Sequence, residues 1–120
     1  MKKWVPVFVG VAAVAAFAAD HRDALATDAA AGKAKYKQFC SACHGQSGKG
    51  DGPAAASLNP KPRDHSDGKY MKTLSDEQIT KITKMGGPAV GKSPTMPPWG
   101  GALSDADIKN VVAFIRTLAR

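Results

Sequence analysis

Cys40-Ser41-Ala42-Cys43-His44 is the stretch of this 120-residue chain whose residue types and spacing define a chemistry. Two thiols three positions apart, followed at once by an imidazole, form the attachment pattern of c-type haem. Each sulfur can add across one vinyl group of a porphyrin, and the two intervening residues bring both sulfurs to one macrocycle edge. His44 is then placed to offer a ring nitrogen to the iron as its proximal ligand. Two other chemistries use similar residues. A structural zinc site needs four ligands, yet Cys40 and Cys43 are the only cysteines, and His21 and His65 form no finger-spaced pair. A thioredoxin-like dithiol follows a strand in a βαβ unit, whereas the residues before Cys40 read as helix. The motif occurs once, so one covalently attached haem c is expected.

Closing the iron's second axial position would separate a carrier from an enzyme or sensor. Met71, Met85, Met96, His65 and His21 are the candidates. Met85 falls on the apolar face of an expected helix and Met71 lies beside Tyr70 just before it, both ordinary packing positions. Met96 differs, because Pro94, Pro97 and Pro98 stiffen the loop that carries it. Proline fixes φ and lowers the entropy cost of holding an extended strap against a ring. His65, in a proline-rich loop, is the rival ligand, and a solvent-exposed loop histidine is its alternative state.

The elements that must position these groups are helical. A first helix is expected from Ala29 to Cys43, with Thr27 or Asp28 as N-cap and Gly32, Tyr36, Phe39, Cys40 and Cys43 along one face. Between Gly45 and Lys69 a Gly-, Pro-, Asn- and Asp-rich segment favours turns, and a loop of that length suits wrapping a planar cofactor. Ser75 to Met85 reads as a second helix, opened by Ser75-Asp76-Glu77-Gln78, closed by Gly86-Gly87, and apolar at Ile79, Ile82 and Met85. After the loop from Gly86 to Gly101, Ser104 opens a last helix. Its core stripe is Ile108, Val111, Val112, Ile115 and Leu118, with Phe114 at the flank. Sustained strand alternation is absent, so the class is all-α.

The N-terminus points to export. Met1-Lys2-Lys3 is a positive n-region and Trp4 to Ala19 an apolar run of signal-peptide type. Small-x-small cleavage sites fit after Ala18 and after Ala26, the second being favoured, which gives a signal peptide over residues 1–26 and a single domain over 27–120. The alternative is an uncleaved membrane anchor, although the run is shorter than the ~20 residues of a spanning helix. Covalent haem attachment on the exported side agrees with a periplasmic location.

Removing residues 1–26 leaves 14 Lys plus Arg against 8 Asp plus Glu. That balance favours encounter with acidic redox partners, or is simply a lysine-rich soluble surface. Nucleic acid is an improper partner for it, since no dense basic run or aromatic-basic motif accompanies the charge.

Residues 29 to 120 resemble the small monohaem class I c-type cytochromes of bacteria. The shared motifs are Gly32 and Tyr36 before Cys-x-x-Cys-His, Gly50-Asp51-Gly52-Pro53, Met96-Pro97-Pro98-Trp99, and Leu103-Ser104 opening a helix that bears Phe114. The resemblance implies the small cytochrome c fold, three to five helices wrapped around the haem. It implies first and last helices crossing with Gly32 and Tyr36 against Val111 and Phe114. It also implies a proline carbonyl, best matched by Pro53, accepting the Nδ1 proton of His44, and Trp99, Arg63 or Tyr70 near the haem propionates. The activity it implies is monomeric, non-enzymatic electron transfer in a periplasmic respiratory chain, with His44 and Met96 as iron ligands. Alternatives are a haem-based gas sensor or small peroxidase whose sixth site opens, and a cytochrome subunit of a membrane complex.

Overall fold

Asp28 starts the domain by capping helix α1 (Ala29–Phe39), its carboxylate accepting from the N–H groups of Ala30 and Ala31 at 2.9 and 3.0 Å. The structure, a computed structural model, describes residues 1–2 and 27–120. The expected leader, both cleavage sites and His21 lie outside the described residues. Helix α1 ends earlier than its apolar spacing predicts. The Ser41 hydroxyl donates to the Lys37 carbonyl at 2.6 Å across the break. The chain turns at Cys40 and resumes as the short helix α2 (Ser41–His44). The haem motif therefore straddles a break between two helices.

The segment after Gly45 is irregular as expected, apart from a 3-10 turn at Ala55–Ser57 and a short helix α3 (Gly68–Met71). Gly50 shows why glycine stands here: its φ is 73°, and a Cβ would run into the Pro62 carbonyl. Helix α4 (Asp76–Met85) opens with a complete capping box, Ser75 Oγ accepting from the Gln78 N–H and Gln78 Oε1 from the Ser75 N–H. Its buried face is not the expected one. Ile79 and Thr83 are buried, Ile82 is partly buried, and Met85 is 51% exposed. Thr83 can face inward because its hydroxyl donates to the Ile79 carbonyl at 2.9 Å, which removes the cost of an unpaired buried polar group.

Helix α5 (Asp105–Leu118) opens with a second capping box, Ser104 with Asp107. Ile108, Val111, Val112, Phe114 and Ile115 are buried, so Phe114 belongs to the core and Leu118 to its margin. Because this cap is exposed, Ser104→Ala should cost about 1 kcal/mol. In a domain of this size that lowers Tm by roughly 4–8 °C, which circular dichroism melting of the holoprotein would register.

Helices α1 and α5 cross at Gly32, where the two backbones touch: a Cβ on Gly32 would overlap the Asn110 carbonyl. Tyr36, wholly buried, meets Phe114 edge to face with centroids 5.1 Å apart. The crossing implied by the resemblance is present. A tie with no sequence signal joins α5 to the turn between α3 and α4. The Arg116 guanidinium donates to the Met71 and Leu74 carbonyls at 2.7 and 2.6 Å and pairs with Asp76 at 2.7 Å. Among the described residues there is no strand, and no helix is long and apolar enough to cross a membrane.

Candidate functional site

Cys40, Cys43 and His44 form one wall of a cavity of about 550 Å³, and Met96 and Pro97 contribute another part of its lining. Its interior is mainly aliphatic and aromatic, from residues such as Leu74, Ile79, Ile82, Val111 and Ile115. Both thiols are free, and Cys40 is buried. Burial, and the neighbouring Cys43, push the Cys40 thiol up to about 12. The Cys40 thiol is therefore held in its protonated form and is not itself an attacking thiolate. Among the described residues no group of three or more His, Cys, Asp or Glu gathers as a metal cluster.

The His44 ring is 8% exposed, and its Nδ1 lies 2.9 Å from the Arg63 carbonyl. A carbonyl only accepts, so Nδ1 carries the proton and Nε2 is left with its lone pair. Burial holds the imidazole pKa below its ordinary value, an effect the Arg63 carbonyl partly opposes. A neutral imidazole of fixed tautomer is the form that a metal takes. This corrects the Pro53 assignment. Residues 52–54 are hung on the outside of α2, with Gly52 N–H donating to the Cys43 carbonyl at 3.1 Å and Ala54 N–H to the Ala42 carbonyl at 2.9 Å. Pro53 consequently faces a separate shallow depression with Lys37, Ser41 and Asp51. The strap Pro60-Lys61-Pro62-Arg63 crosses His44 instead. It carries the same sign of stiffness, paired prolines, that singles out the Met96 loop.

His65 is not a solvent-exposed loop residue. Its ring stacks on His44, centroids 4.1 Å apart and planes within 15°, and its Nδ1 lies 3.0 Å from the Tyr36 hydroxyl. Two imidazoles stacked face to face are not disposed on opposite sides of a flat macrocycle. Burial, followed by the adjacent His44, lowers the His65 pKa to about 3, against a raising influence of Asp64. Burial likewise raises that of Tyr36. Both rings of the stack are therefore neutral at ordinary pH.

Met96 sits in a braced loop. Its carbonyl accepts from the Gly87 N–H at 3.0 Å, its N–H donates to the Ser93 carbonyl at 3.3 Å, and Trp99 N–H reaches back to the Thr83 carbonyl at 3.0 Å. A 3-10 turn, Pro88–Val90, precedes it. Trp99 packs edge to face on Phe39 at 5.5 Å and lines the cavity. Met71 also borders the cavity, but it is only 2% exposed and belongs to the core. Met85 is not among the lining residues.

Three cations, Lys61, Arg63 and Lys92, line the cavity with no carboxylate among them. The Arg63 guanidinium lies 3.7 Å above the Tyr70 ring centroid, and Lys92 Nζ donates to the Tyr70 hydroxyl at 3.2 Å. Sequence reasoning did not single out Lys92. An apolar slot with two thiols and an imidazole on one wall, a thioether in its lining and cations beside it fits a haem, which is apolar except for its iron and two carboxylates.

Comparison with known proteins agrees. Residues 27–115 match the family described as Cytochrome C oxidase, cbb3-type, subunit III. The chain is 35% identical to cytochrome c-554(547) of Halothiobacillus neapolitanus, over 78% of this chain and 99% of that protein. It is also 35% identical to cytochrome c6 of Picosynechococcus, over 77% of this chain and 74% of that one. With the cbb3-type cytochrome c oxidase subunit FixPc of Rhizobium leguminosarum bv. viciae it shares 31% identity, over only 28% of that protein's length. Among solved structures it resembles the KustC0563 c-type cytochrome, with a TM-score of 0.59 and 25% identity over 74% of this chain and 98% of that one. A similar likeness, TM-score 0.60, covers 41% of a chain in the Kuenenia stuttgartiensis reducing HAO-like protein complex Kustc0457/Kustc0458.

Proposed function

Since the chain belongs to the cytochrome c family, with a domain of the type described as Cytochrome C oxidase, cbb3-type, subunit III, we propose that it is a soluble, His/Met-ligated electron carrier of a periplasmic respiratory chain. Electron transfer through covalently bound haem c is the property of the family; the ligand pair, the compartment and the partners are our reading. Bound in the cavity, the haem supplies a one-electron iron couple. The chain's part is to hold the site still. Cys40 and Cys43 would supply the sulfurs of two thioether bonds, and His44, kept neutral with its Nε2 lone pair free, would ligate the iron. Met96, on its proline-braced strap, would be the second ligand. A ligand set fixed in both oxidation states keeps reorganisation small, and aliphatic walls exclude water.

The observation that carries this reading is the Nδ1–H of His44 held by the Arg63 carbonyl at 2.9 Å beside two free thiols in a cavity that Met96 also lines. Trp99 and the cations Arg63 and Lys92 are the groups best placed for the haem carboxylates. Lys35, Lys84 and Arg116 are engaged with Asp107, Asp105 and Asp76. Lys61, the third cation bordering the cavity, favours approach of an acidic partner, an attraction that weakens with salt. The partial match to FixPc, named as an oxidase subunit, favours a second reading in which the same domain serves inside a membrane complex.

Mass spectrometry of the exported protein, followed by mixing of the reduced form with CO, tests the carrier reading. One haem per chain, a terminus at Thr27 and slow CO binding at neutral pH are expected. Rapid CO binding would assign the protein to the sensors or peroxidases, and a mass without haem would end the reading. Co-purification with a membrane complex would select the subunit role.

A further inference from the structure

His65 stacks on His44 without joining the ligand set. His44 is held at one edge by the Arg63 carbonyl, which fixes where Nδ1 points but leaves the ring free to rock about that bond. The parallel His65 ring, with centroids 4.1 Å apart, covers one face of the imidazole and blocks that rocking. His65 is itself held twice, by its N–H donating to the Gly48 carbonyl at 2.6 Å and by its Nδ1 against the Tyr36 hydroxyl at 3.0 Å. Tyr36 is 0% exposed and clamped edge-on by Phe114 at the α1/α5 crossing. A line of contacts thus runs from the helix crossing to the plane of the imidazole.

We propose that His65, anchored by Tyr36, is a positioning residue that sets the rotational orientation of the His44 ring relative to the haem. The inference rests on His44 being the iron ligand. The plane of an axial imidazole selects which iron π orbital holds the unpaired electron of the ferric state, and so how spin is spread over the macrocycle edge through which electrons leave. Groups behind a ligand commonly govern its orientation and donor strength. A stacked ring does so by its face, through dispersion and shape.

The test compares ferric holoprotein of the parent, His65→Ala, His65→Phe and Tyr36→Phe. Haem content and the sulfur-to-iron charge-transfer band report the ligand set. The paramagnetically shifted haem methyl resonances in the proton NMR spectrum report the imidazole plane. All four proteins should keep haem and the band. The spread between the largest and smallest methyl shift should shrink in His65→Ala, because a rocking ring averages the asymmetry. It should return in His65→Phe, which restores a flat face, and shrink partially in Tyr36→Phe. A parent-like methyl pattern in His65→Ala overturns the proposal. Should that variant fail to accumulate as holoprotein, a parent-like pattern in Tyr36→Phe overturns it equally. A parent protein lacking a low-spin, thioether-ligated spectrum would instead refute the ligand reading, a separate and recognisable failure.

Discussion

Met96→Ala is expected to abolish the sulfur-to-iron charge-transfer band and to lower the reduction potential of the holoprotein by about 120 mV or more. The figure corresponds to a hundredfold loss of preference for the ferrous form, at about 60 mV per tenfold for a one-electron couple. A thioether is a soft, neutral donor that favours Fe(II), and water or hydroxide in its place is harder and favours Fe(III). The loop should survive the change. Its bracing comes from the backbone bonds of residues 87, 93 and 96 and from the Trp99 N–H on α4, none of which uses the thioether. Reduced Met96→Ala should also bind CO rapidly, because the sixth position is opened without the strap being unfolded. Met85→Leu is the control: Met85 is half exposed and outside the cavity lining, so band and potential should not move. Spectra and potentiometry decide, and a Met96→Ala protein with the parent band and potential would remove Met96 from the ligand set.

What could be read from the sequence was what side chains announce locally. The haem motif, the capping box at Ser75, the helix start at Ser104, the glycine-rich turns and the apolar stripe of α5 each lie within a few consecutive turns of chain, and each is found in the fold. The misses share a different physics. The carbonyl that orients His44 could belong to any residue, since a backbone acceptor has no side-chain signature; Arg63, not Pro53, supplies it because of how two loops cross. His65 looked like a surface residue because its partners, Tyr36 and His44, lie on α1 and α2 and meet it only after the glycine turns bring the chain back. Thr83 replaced Met85 on the buried face because a hydroxyl satisfied within its own helix costs little to bury. The break at Cys40, spanned by the Ser41 hydroxyl on the Lys37 carbonyl, interrupts an apolar spacing that runs on unbroken through the motif. Family, fold class and cofactor were therefore legible, while the groups that aim the cofactor's ligand were not.

Gly32→Ala should be the most destabilising of the conservative single changes considered for this domain. In isolation the substitution favours a helix by about 1 kcal/mol. Against that stands a methyl group driven into the Asn110 carbonyl and close to the Val111 N–H, both backbone atoms of α5 that no rotamer change can move aside. Helix α1 must then lift from α5. That loosens the Tyr36–Phe114 contact and the bond from Asp28 N–H to Asn110 Oδ1 at 2.8 Å. Overpacking a well-filled contact costs about 1–3 kcal/mol, and a rigid backbone obstacle puts this site at the upper end, so after the helix gain a net loss of about 2 kcal/mol is expected. At roughly 4–8 °C per kcal/mol for a domain of this size, Tm should fall on the order of 10 °C. The effect should reach function, because Cys40 directly follows α1 and Tyr36 anchors the ring stacked on His44; displacement of α1 should shift the potential as well. Gly101→Ala supplies the contrast, since nothing lies within 4 Å of a Cβ there and its cost should stay within about 0.5 kcal/mol. Melting of the oxidised holoproteins, followed by circular dichroism, separates the two. Equal Tm values for Gly32→Ala and Gly101→Ala would mean that the helix crossing does not depend on the close backbone approach at Gly32.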